Sequence, residues 1–101
     1  MAVVVNQDFA GVSREDVEAL GNDMGVRENP PAGLIAHVAT DTANGVHVVD
    51  IWENEADFQT FLEERLMPAA KAFAQERGID MEGFGQPMFT DAYDLVVGRQ
   101  A

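Results

Sequence analysis

The feature that most constrains the fold is a pair of β-rich segments joined by a short turn. The segments are "AGLIAHVAT" (32–40) and "GVHVVDIWEN" (45–54), and "DTANG" connects them. Both are rich in β-branched residues, which favour strands. Asn44-Gly45 is a strong signal for a two-residue hairpin turn. The pattern therefore predicts an antiparallel hairpin in the middle of the chain.

A strand and a helix precede this hairpin. "AVVVNQDF" (2–9) is predicted to be the first strand. The first helix begins after Ser13, its expected N-cap, with Asp16 as the partner in a capping box. Gly25 is expected to end this helix, because glycine readily adopts the left-handed conformation of a helix C-terminus.

A second helix and a last strand follow the hairpin. Asn54 is the expected N-cap of a helix over residues 55–78, with apolar residues at spacings of three and four. Pro68 removes one helical hydrogen bond, so the helix should kink or restart near residues 66–67. "MFTDAYDLVV" (88–97) is predicted to be the last strand.

The resulting order, βαββαβ, is the ferredoxin-like split βαβ pattern. It predicts one α+β domain over residues 1–101, with a four-stranded antiparallel sheet and helices on one face. The strands are too apolar for the other face to stay in water. We therefore expect a second copy of the chain to cover it, giving a homodimer.

The composition argues against several classes of partner and cofactor. The chain has 18 acidic and 6 basic residues, a net charge of −12, which argues against nucleic acid and anionic membranes as partners. It has no cysteine, which excludes thiolate metal sites. Nucleotide-binding motifs are also absent, and we expect no haem, flavin or metal. The N-terminal sequence does not have the pattern of a signal peptide, so a cytoplasmic protein is expected.

Asp50 lies in the middle of the third predicted strand, where a buried carboxylate needs partners. Side chains alternate along a strand, so Asp50 shares a face with Val46, Val48 and Trp52. A two-residue turn would set His37 diagonal to Asp50, and a loop two residues longer would set the two directly opposite. Both registers predict contact between His37 and Asp50.

The same alternation assigns the two faces of the sheet. We predict that Val38, Val49 and Ile51 belong to the face under the helices. His37, Asp50 and Trp52 are then predicted to lie on the face that awaits the second subunit.

These three residues carry the chemistry expected from the sequence. A carboxylate beside an imidazole raises the pKa of the imidazole and fixes its tautomer. We therefore identify His37 and Asp50 as candidate catalytic residues, with His37 as base and Asp50 as the group that orients it. Trp52 is the candidate stacking surface for an aromatic ligand.

The segment 30–69 resembles the dimeric α+β barrel superfamily. The resemblance is strongest to small proteins of the antibiotic biosynthesis monooxygenase type. It is carried by Gly33 with His37, by "DIWE" (50–53) and by "RLMP" (65–68). It implies a homodimer that binds a small, aromatic or polyketide-like molecule and acts as a cofactor-independent monooxygenase or cyclase. The alternative is an accessory dimer of the same fold that binds a ligand without turnover.

The resemblance also implies further ligand-binding residues. Cofactor-free oxygenases of this superfamily use Asn, Trp and Tyr or His in the pocket, and Asn6 and Tyr93 are the matching candidates beside Trp52 and His37. Haem-degrading relatives use a histidine on the second helix. This chain has none there, so the resemblance does not extend to haem binding.

Overall fold

The computed structural model describes residues 1–98, and its elements follow the predicted order. The strands are β1 (Val3–Ala10), β2 (Leu34–Asp41), β3 (Gly45–Trp52) and β4 (Met88–Asp91). The helices are α1 (Arg14–Met24), α2 (Glu55–Phe61) and α3 (Met67–Arg77). A π-helical turn (Leu62–Leu66) joins α2 to α3, and a 3₁₀ turn (Met81–Gly83) precedes β4.

The four strands form one antiparallel sheet in the order β2-β3-β1-β4. The helices pack on one face of this sheet through three apolar clusters, which are centred on Trp52, Val46 and Leu66. This is the predicted ferredoxin-like α+β fold.

The predicted helix caps are present. The Asp16 N–H donates to Ser13 Oγ (3.1 Å), and the Ser13 N–H donates to Asp16 Oδ2 (3.2 Å), which completes the capping box. Gly25 ends α1 at φ 67°, and the Asp57 N–H donates to Asn54 Oδ1 (2.8 Å) at the start of α2. Short local signals therefore fixed where the helices begin and end.

Pro68 divides the second helical segment as predicted. It lies in the first turn of α3, and the Met67 N–H donates to Leu62 O, five residues back. This wider π-helical turn makes room for the proline ring, which would clash with a carbonyl four residues back in a regular helix.

The predicted assignment of the sheet faces is wrong. Val46, Val48, Asp50 and Trp52 lie under the helices, and Trp52 is completely buried. Val38 lies on the opposite face and is 52 % exposed. Asp50 is tolerated on the helical side because both oxygens of its carboxylate have hydrogen-bond partners there. Trp52, on the same face, packs between aromatic rings of α2.

The hairpin has the longer of the two loops considered. Asp41 pairs with Val46, so residues 42–45 form the connection, and His37 stands directly opposite Asp50. A bulge at Ile35 shifts the register between Leu34 and Ala36. Because of this bulge, Leu34 points towards the core, on the same face of the sheet as His37. Strict alternation would place Leu34 and His37 on opposite faces.

The last strand is shorter than the predicted span 88–97, because it ends at Asp91. Its partner β1 begins at Val3, opposite Asp91, and within residues 1–98 one further bond follows, from the Ala92 N–H to Ala2 O (2.9 Å). In the described residues after Ala92 no strand pairing continues, and Val96 and Val97 are exposed. None of the helices in residues 1–98 is long and apolar enough to span a bilayer.

Candidate functional site

His37 and Asp50 are in direct contact at the β2 edge of the sheet. They face each other across the β2–β3 ladder, and His37 Nδ1 lies 2.6 Å from Asp50 Oδ1. The contact is the predicted one, although it lies on the helical face. Because a carboxylate only accepts hydrogen bonds, Nδ1 carries the proton of this bond. The neutral ring then has its lone pair on Nε2.

The two partners differ in their exposure to solvent. The Asp50 side chain is nearly buried, whereas the His37 side chain is 49 % exposed. Within residues 1–98, Nε2 of His37 has no hydrogen-bond partner. A dissolved molecule can therefore reach the imidazole but not the carboxylate beneath it.

Trp52 fixes the second oxygen of the carboxylate. Its indole Nε1–H donates to Asp50 Oδ2 over 3.3 Å. The indole is held by Phe58 and Phe61 of α2, with ring centroids 5.5 Å away in each case. Each Asp50 oxygen thus has a partner, and no buried side-chain polar atom in the described part of the chain lacks one. This satisfaction offsets the several kcal/mol that an unpaired buried carboxylate costs.

The pKa of His37 is raised above its ordinary value of 6.5. The main cause is the hydrogen bond to Asp50, and the charge of that carboxylate acts in the same direction. Burial opposes the rise, and so does the positive charge of Arg27. The imidazole is therefore a stronger base than a free histidine, and it changes charge above pH 6.5.

Asn6 and Tyr93 do not join this site. Asn6 lies on the other face of the sheet, where its Oδ1 is 3.2 Å from Nε2 of His47. Nδ1 of His47 lies 2.6 Å from Asp8 Oδ1, which makes a second histidine–aspartate pair. Tyr93 follows β4 and is 99 % exposed. A single subunit does not bring Asn6 and Tyr93 together with Trp52, because strand alternation places Asn6 on the other face and β4 ends before Tyr93.

Trp52 offers no surface to a ligand in the single subunit, because it is completely buried among the aromatic residues of α2. Its indole N–H donates a hydrogen bond to Asp50, so Trp52 supports the carboxylate and does not contact a ligand directly. Two open depressions, of about 280 and 420 Å³, lie instead around Ile79. Neither is lined by His37, Asp50 or Trp52.

Two arginines that act on residues around this site were not among the predicted site residues: the charge of Arg27 lowers the pKa of His37, and the guanidinium of Arg65 lies 5.9 Å from the ring centroid of Phe61. Arg27 lies in the loop between α1 and β2, and Arg65 lies in the π-helical turn. Periodicity does not fix the path of a loop, so only the "RLMP" motif drew attention to Arg65. Among residues 1–98, no group of three or more His, Asp or Glu side chains is arranged to hold a metal ion.

Comparison with known proteins gives a likeness of fold. No family model matches the chain, and no curated protein matches it in sequence. Rv0793 from Mycobacterium tuberculosis is 14 % identical with a TM-score of 0.63, over 96 % of this chain and 100 % of that one. A variant of SnoaB, a cofactor-independent oxygenase from Streptomyces nogalater, is 14 % identical with a TM-score of 0.61, over 94 % and 95 %.

The same fold also carries a different reaction. Hydroxynitrile lyase from Passiflora edulis is 13 % identical to this chain with a TM-score of 0.54, over 95 % of this chain and 96 % of that one. The predicted resemblance to antibiotic biosynthesis monooxygenase-like proteins is confirmed as a likeness of fold. Because one fold hosts unrelated activities, function has to be argued from the site itself.

Proposed function

We propose that this protein is an acid–base enzyme that acts on a small aromatic or polyketide-like molecule, as a cofactor-independent monooxygenase or cyclase. The observation that carries the proposal is the chain of contacts from Trp52 through Asp50 to His37. It places a half-exposed imidazole on a buried, fixed carboxylate, which is the arrangement that a general base requires. The proposal keeps the expectation of a cytoplasmic protein.

The chemical step is a proton transfer to His37. An acidic O–H or C–H bond of the substrate breaks, the proton goes to Nε2, and the electron pair stays on the substrate. Asp50 stabilises the imidazolium that forms, because its Oδ1 accepts the Nδ1–H bond throughout. Trp52 keeps the carboxylate in place, so little reorganisation is needed at the moment of transfer. In a monooxygenase the electron-rich substrate anion would then react with dioxygen. In a cyclase the same anion would close a ring without dioxygen.

The pKa of His37 sets the sign of the pH dependence. The reactive form is the neutral imidazole, and its pKa lies above 6.5. Turnover should therefore increase with pH through that raised pKa. In Asp50→Asn the pKa of His37 should fall, so the increase of turnover with pH should occur at lower pH. The maximum rate should also be lower.

We also propose that the enzyme is a homodimer, formed through the sheet face opposite the helices, which we call the outer face. The described residues that line it include Val4, Asn6, Asp8, Ala36, Val38, Thr40, His47, Val49, Ile51, Met88 and Thr90. Val38 and Met88 are well exposed there, and apolar side chains on a sheet face favour a partner. The face of Val46 and Val48, which the sequence predicts to meet the second subunit, is not available for this interface, because the helices already bury both residues.

One observation favours the alternative, a dimer that binds a ligand without turnover. Trp52 is fully buried, and the two depressions around Ile79 lie away from His37. In that case the pair of His37 and Asp50 joins β2 to β3, and any ligand binds elsewhere.

An oxygen-uptake and absorbance assay with two probes, 1,4-dihydroxynaphthalene and anthrone, tests the proposal. Both are aromatic compounds with an acidic O–H or C–H bond. We expect turnover by the wild type and a loss of about 100-fold or more in His37→Gln, since a general base contributes roughly 10²–10⁴. Asp50→Asn should lose activity in the same direction.

Asp41→Asn is the matched control. Asp41 is also on β2, but it is exposed and forms an ion pair with Arg14, so its loss should leave the rate unchanged. Retention of turnover in a folded His37→Gln protein would overturn the role of His37. Saturable binding of either probe without turnover in the wild type would favour the alternative.

A further inference from the structure

Arg65 belongs to the "RLMP" motif, which the proposed function does not yet use. It is partly buried and lies in the π-helical turn between α2 and α3. Its Nη2 donates to Met24 O (2.8 Å), and its Nη1 donates to Asn29 O (2.9 Å). The guanidinium therefore ties the π-helical turn to the segment that follows α1.

These two bonds fix the position of the guanidinium at the C-terminal end of α1. Met24 is the last residue of that helix, where carbonyl groups have no donor within the helix. The last turn of α1 contains no basic residue of its own, although a positive charge is favourable there. Arg65 supplies this charge from another element, and its planar fork allows it to bridge two carbonyl oxygens at once.

The same guanidinium contacts the aromatic support of the site. It lies 5.9 Å from the ring centroid of Phe61, the last residue of α2, which is within the range of a cation–π contact. The Phe61 ring lies 5.5 Å from that of Trp52, at an interplanar angle of 38°. Because Trp52 is completely buried, its indole cannot turn unless the neighbouring rings move with it.

The line of contacts continues from Trp52 to the imidazole. The indole Nε1–H donates to Asp50 Oδ2 over 3.3 Å, and Asp50 Oδ1 lies 2.6 Å from His37 Nδ1. The indole bond is longer than the usual range for N–H···O, so a small displacement of the indole would break it. Asp50 would then lose one of its two partners, and its carboxylate would no longer be fixed.

We propose that Arg65 is a positioning residue for the base His37. It holds the Phe61 ring, and this ring holds the Trp52 indole against the Asp50 carboxylate. The inference rests on the proposed function for its effect on turnover, whereas its effect on the imidazole can be measured without any substrate. The guanidinium acts through the aromatic rings and not through contact with the reacting atoms.

Positioning and direct electrostatics predict opposite effects on the pKa of His37. Loss of the positive charge of Arg65, taken alone, would favour the imidazolium and raise this pKa. Loss of positioning would loosen the bond from Asp50, which is the main cause of the raised pKa, and would lower it. The sign of the change therefore decides between the two explanations.

The experiment is an NMR study of Arg65→Met, read at the His37 ring and at the indole N–H of Trp52, the only tryptophan in the chain. We expect the His37 pKa to fall towards its value in Asp50→Asn. The indole N–H signal should move upfield and exchange faster with solvent, because its hydrogen bond is weakened. With a substrate that the wild type turns over, kcat should fall by about tenfold or more with little change in KM, since small misplacements of a catalytic group cost up to roughly 100-fold.

Arg77→Met is the matched control. Arg77 lies in α3, with its guanidinium 4.6 Å from the ring centroid of Phe73, and it pairs with Asp16 (3.7 Å). Its loss removes an arginine and an aromatic contact of the same kind, so the His37 pKa and the indole signal should not change. Arg65→Lys keeps the charge but cannot bridge both carbonyls, so both signals should lie between those of the wild type and Arg65→Met. Circular dichroism verifies that each variant is folded.

A double substitution tests whether Arg65 acts through Asp50. In the Asp50→Asn background the carboxylate is absent, so adding Arg65→Met should leave the His37 pKa where Asp50→Asn alone places it. An equal fall of the pKa in both backgrounds would overturn the proposed route. A His37 pKa that rises in Arg65→Met would overturn the positioning role in favour of direct electrostatics.

The outcomes separate this inference from the proposed function. Turnover that needs His37, with an unchanged His37 pKa and indole signal in Arg65→Met, overturns the positioning role and leaves the base in place. The expected changes in both NMR signals, without turnover of any probe by the wild type, support the positioning of the imidazole and contradict the catalytic role.

Discussion

At the scale of single residues, Asp50 is an acidic side chain placed in an apolar core. Its two oxygens are bound by His37 and Trp52, so the cost of burial is met by two hydrogen bonds to a charged group, each worth roughly 1.5–3 kcal/mol. Removing either partner would leave part of a buried carboxylate unsatisfied. The three residues should therefore behave as one unit in mutagenesis, with non-additive effects.

The raised pKa of His37 predicts how stability depends on pH. The folded-state pKa lies above the unfolded value of about 6.5. The stabilisation from the protonated pair is therefore complete below about pH 6.5 and is lost as the pH rises through the folded-state pKa. Urea unfolding across this range should show a wild-type free energy of unfolding that falls relative to His37→Gln. A constant difference between the two proteins would show that the pair contributes no pH-dependent stability.

The contact between His37 and Asp50 could be predicted from the sequence, whereas its face could not. Alternation places the two residues on one side in either hairpin register, so the contact does not depend on the length of the turn. Which side the helices cover depends on β1, where Val3, Val5 and Phe9 are buried and pair beside β3. The predicted assignment was reversed because a carboxylate ordinarily avoids the core, whereas Asp50 is satisfied inside it by hydrogen bonds from His37 and Trp52.

At the scale of elements, Gly33 couples the start of β2 to the start of α2. It adopts φ 87°, and its carbonyl accepts a bond from the Glu53 N–H (2.8 Å). A Cβ at this position would clash with the Asp57 side chain, which occupies the first turn of α2. The beginning of the strand that bears His37 thus depends on a residue without a side chain.

Substitution of Gly33 tests this coupling. Gly33→Ala should lower the free energy of unfolding by more than about 2 kcal/mol, since the left-handed conformation costs roughly 1–2 kcal/mol and the clash adds to it. Gly78→Ala is the matched control, because Gly78 has φ 67° and nothing lies near its missing Cβ. It should cost only the conformational part. Equal losses in urea denaturation would contradict the proposed clash with Asp57.

Local signals predicted the helices better than the strand ends. Ser13, Asn54 and Pro68 act within a few residues of their own position, so the sequence shows their effect directly. The end of β4 depends on where β1 begins, and the bulge at Ile35 depends on packing against the core. These tertiary conditions account for the predicted strand 88–97 being too long and for Leu34 sharing a face of the sheet with His37.

At the scale of the whole molecule, the outer face is the surface that the fold leaves uncovered. Val38 lies exposed on this face in the edge strand β2, and its partner across the ladder is Val49. We predict that Val38→Glu weakens the proposed homodimer, because it would bury an unpaired charge in the interface. Sedimentation velocity should show a dimer for the wild type and a shift towards monomer for the variant.

Gln75→Glu provides the control for this prediction. It introduces the same side chain on the exposed surface of α3, on the helical side of the sheet. The dimer should persist in this variant. A wild-type protein that is monomeric at micromolar concentration would contradict the proposed assembly, and so would a Val38→Glu protein that dimerises as strongly as the wild type.

The coupling of His37 to Asp50 carries the proposed chemistry, and an NMR pH titration of the His37 ring measures it most directly. The pKa should lie above 6.5 in the wild type and fall in Asp50→Asn, because the largest contribution to its rise comes from that hydrogen bond. His47 lies on the other face of the sheet and does not contact Asp50, so it serves as the internal comparison in the same samples. A His37 pKa that is the same in both proteins, or that lies below 6.5 in the wild type, would contradict the coupled pair and the role of His37 as base.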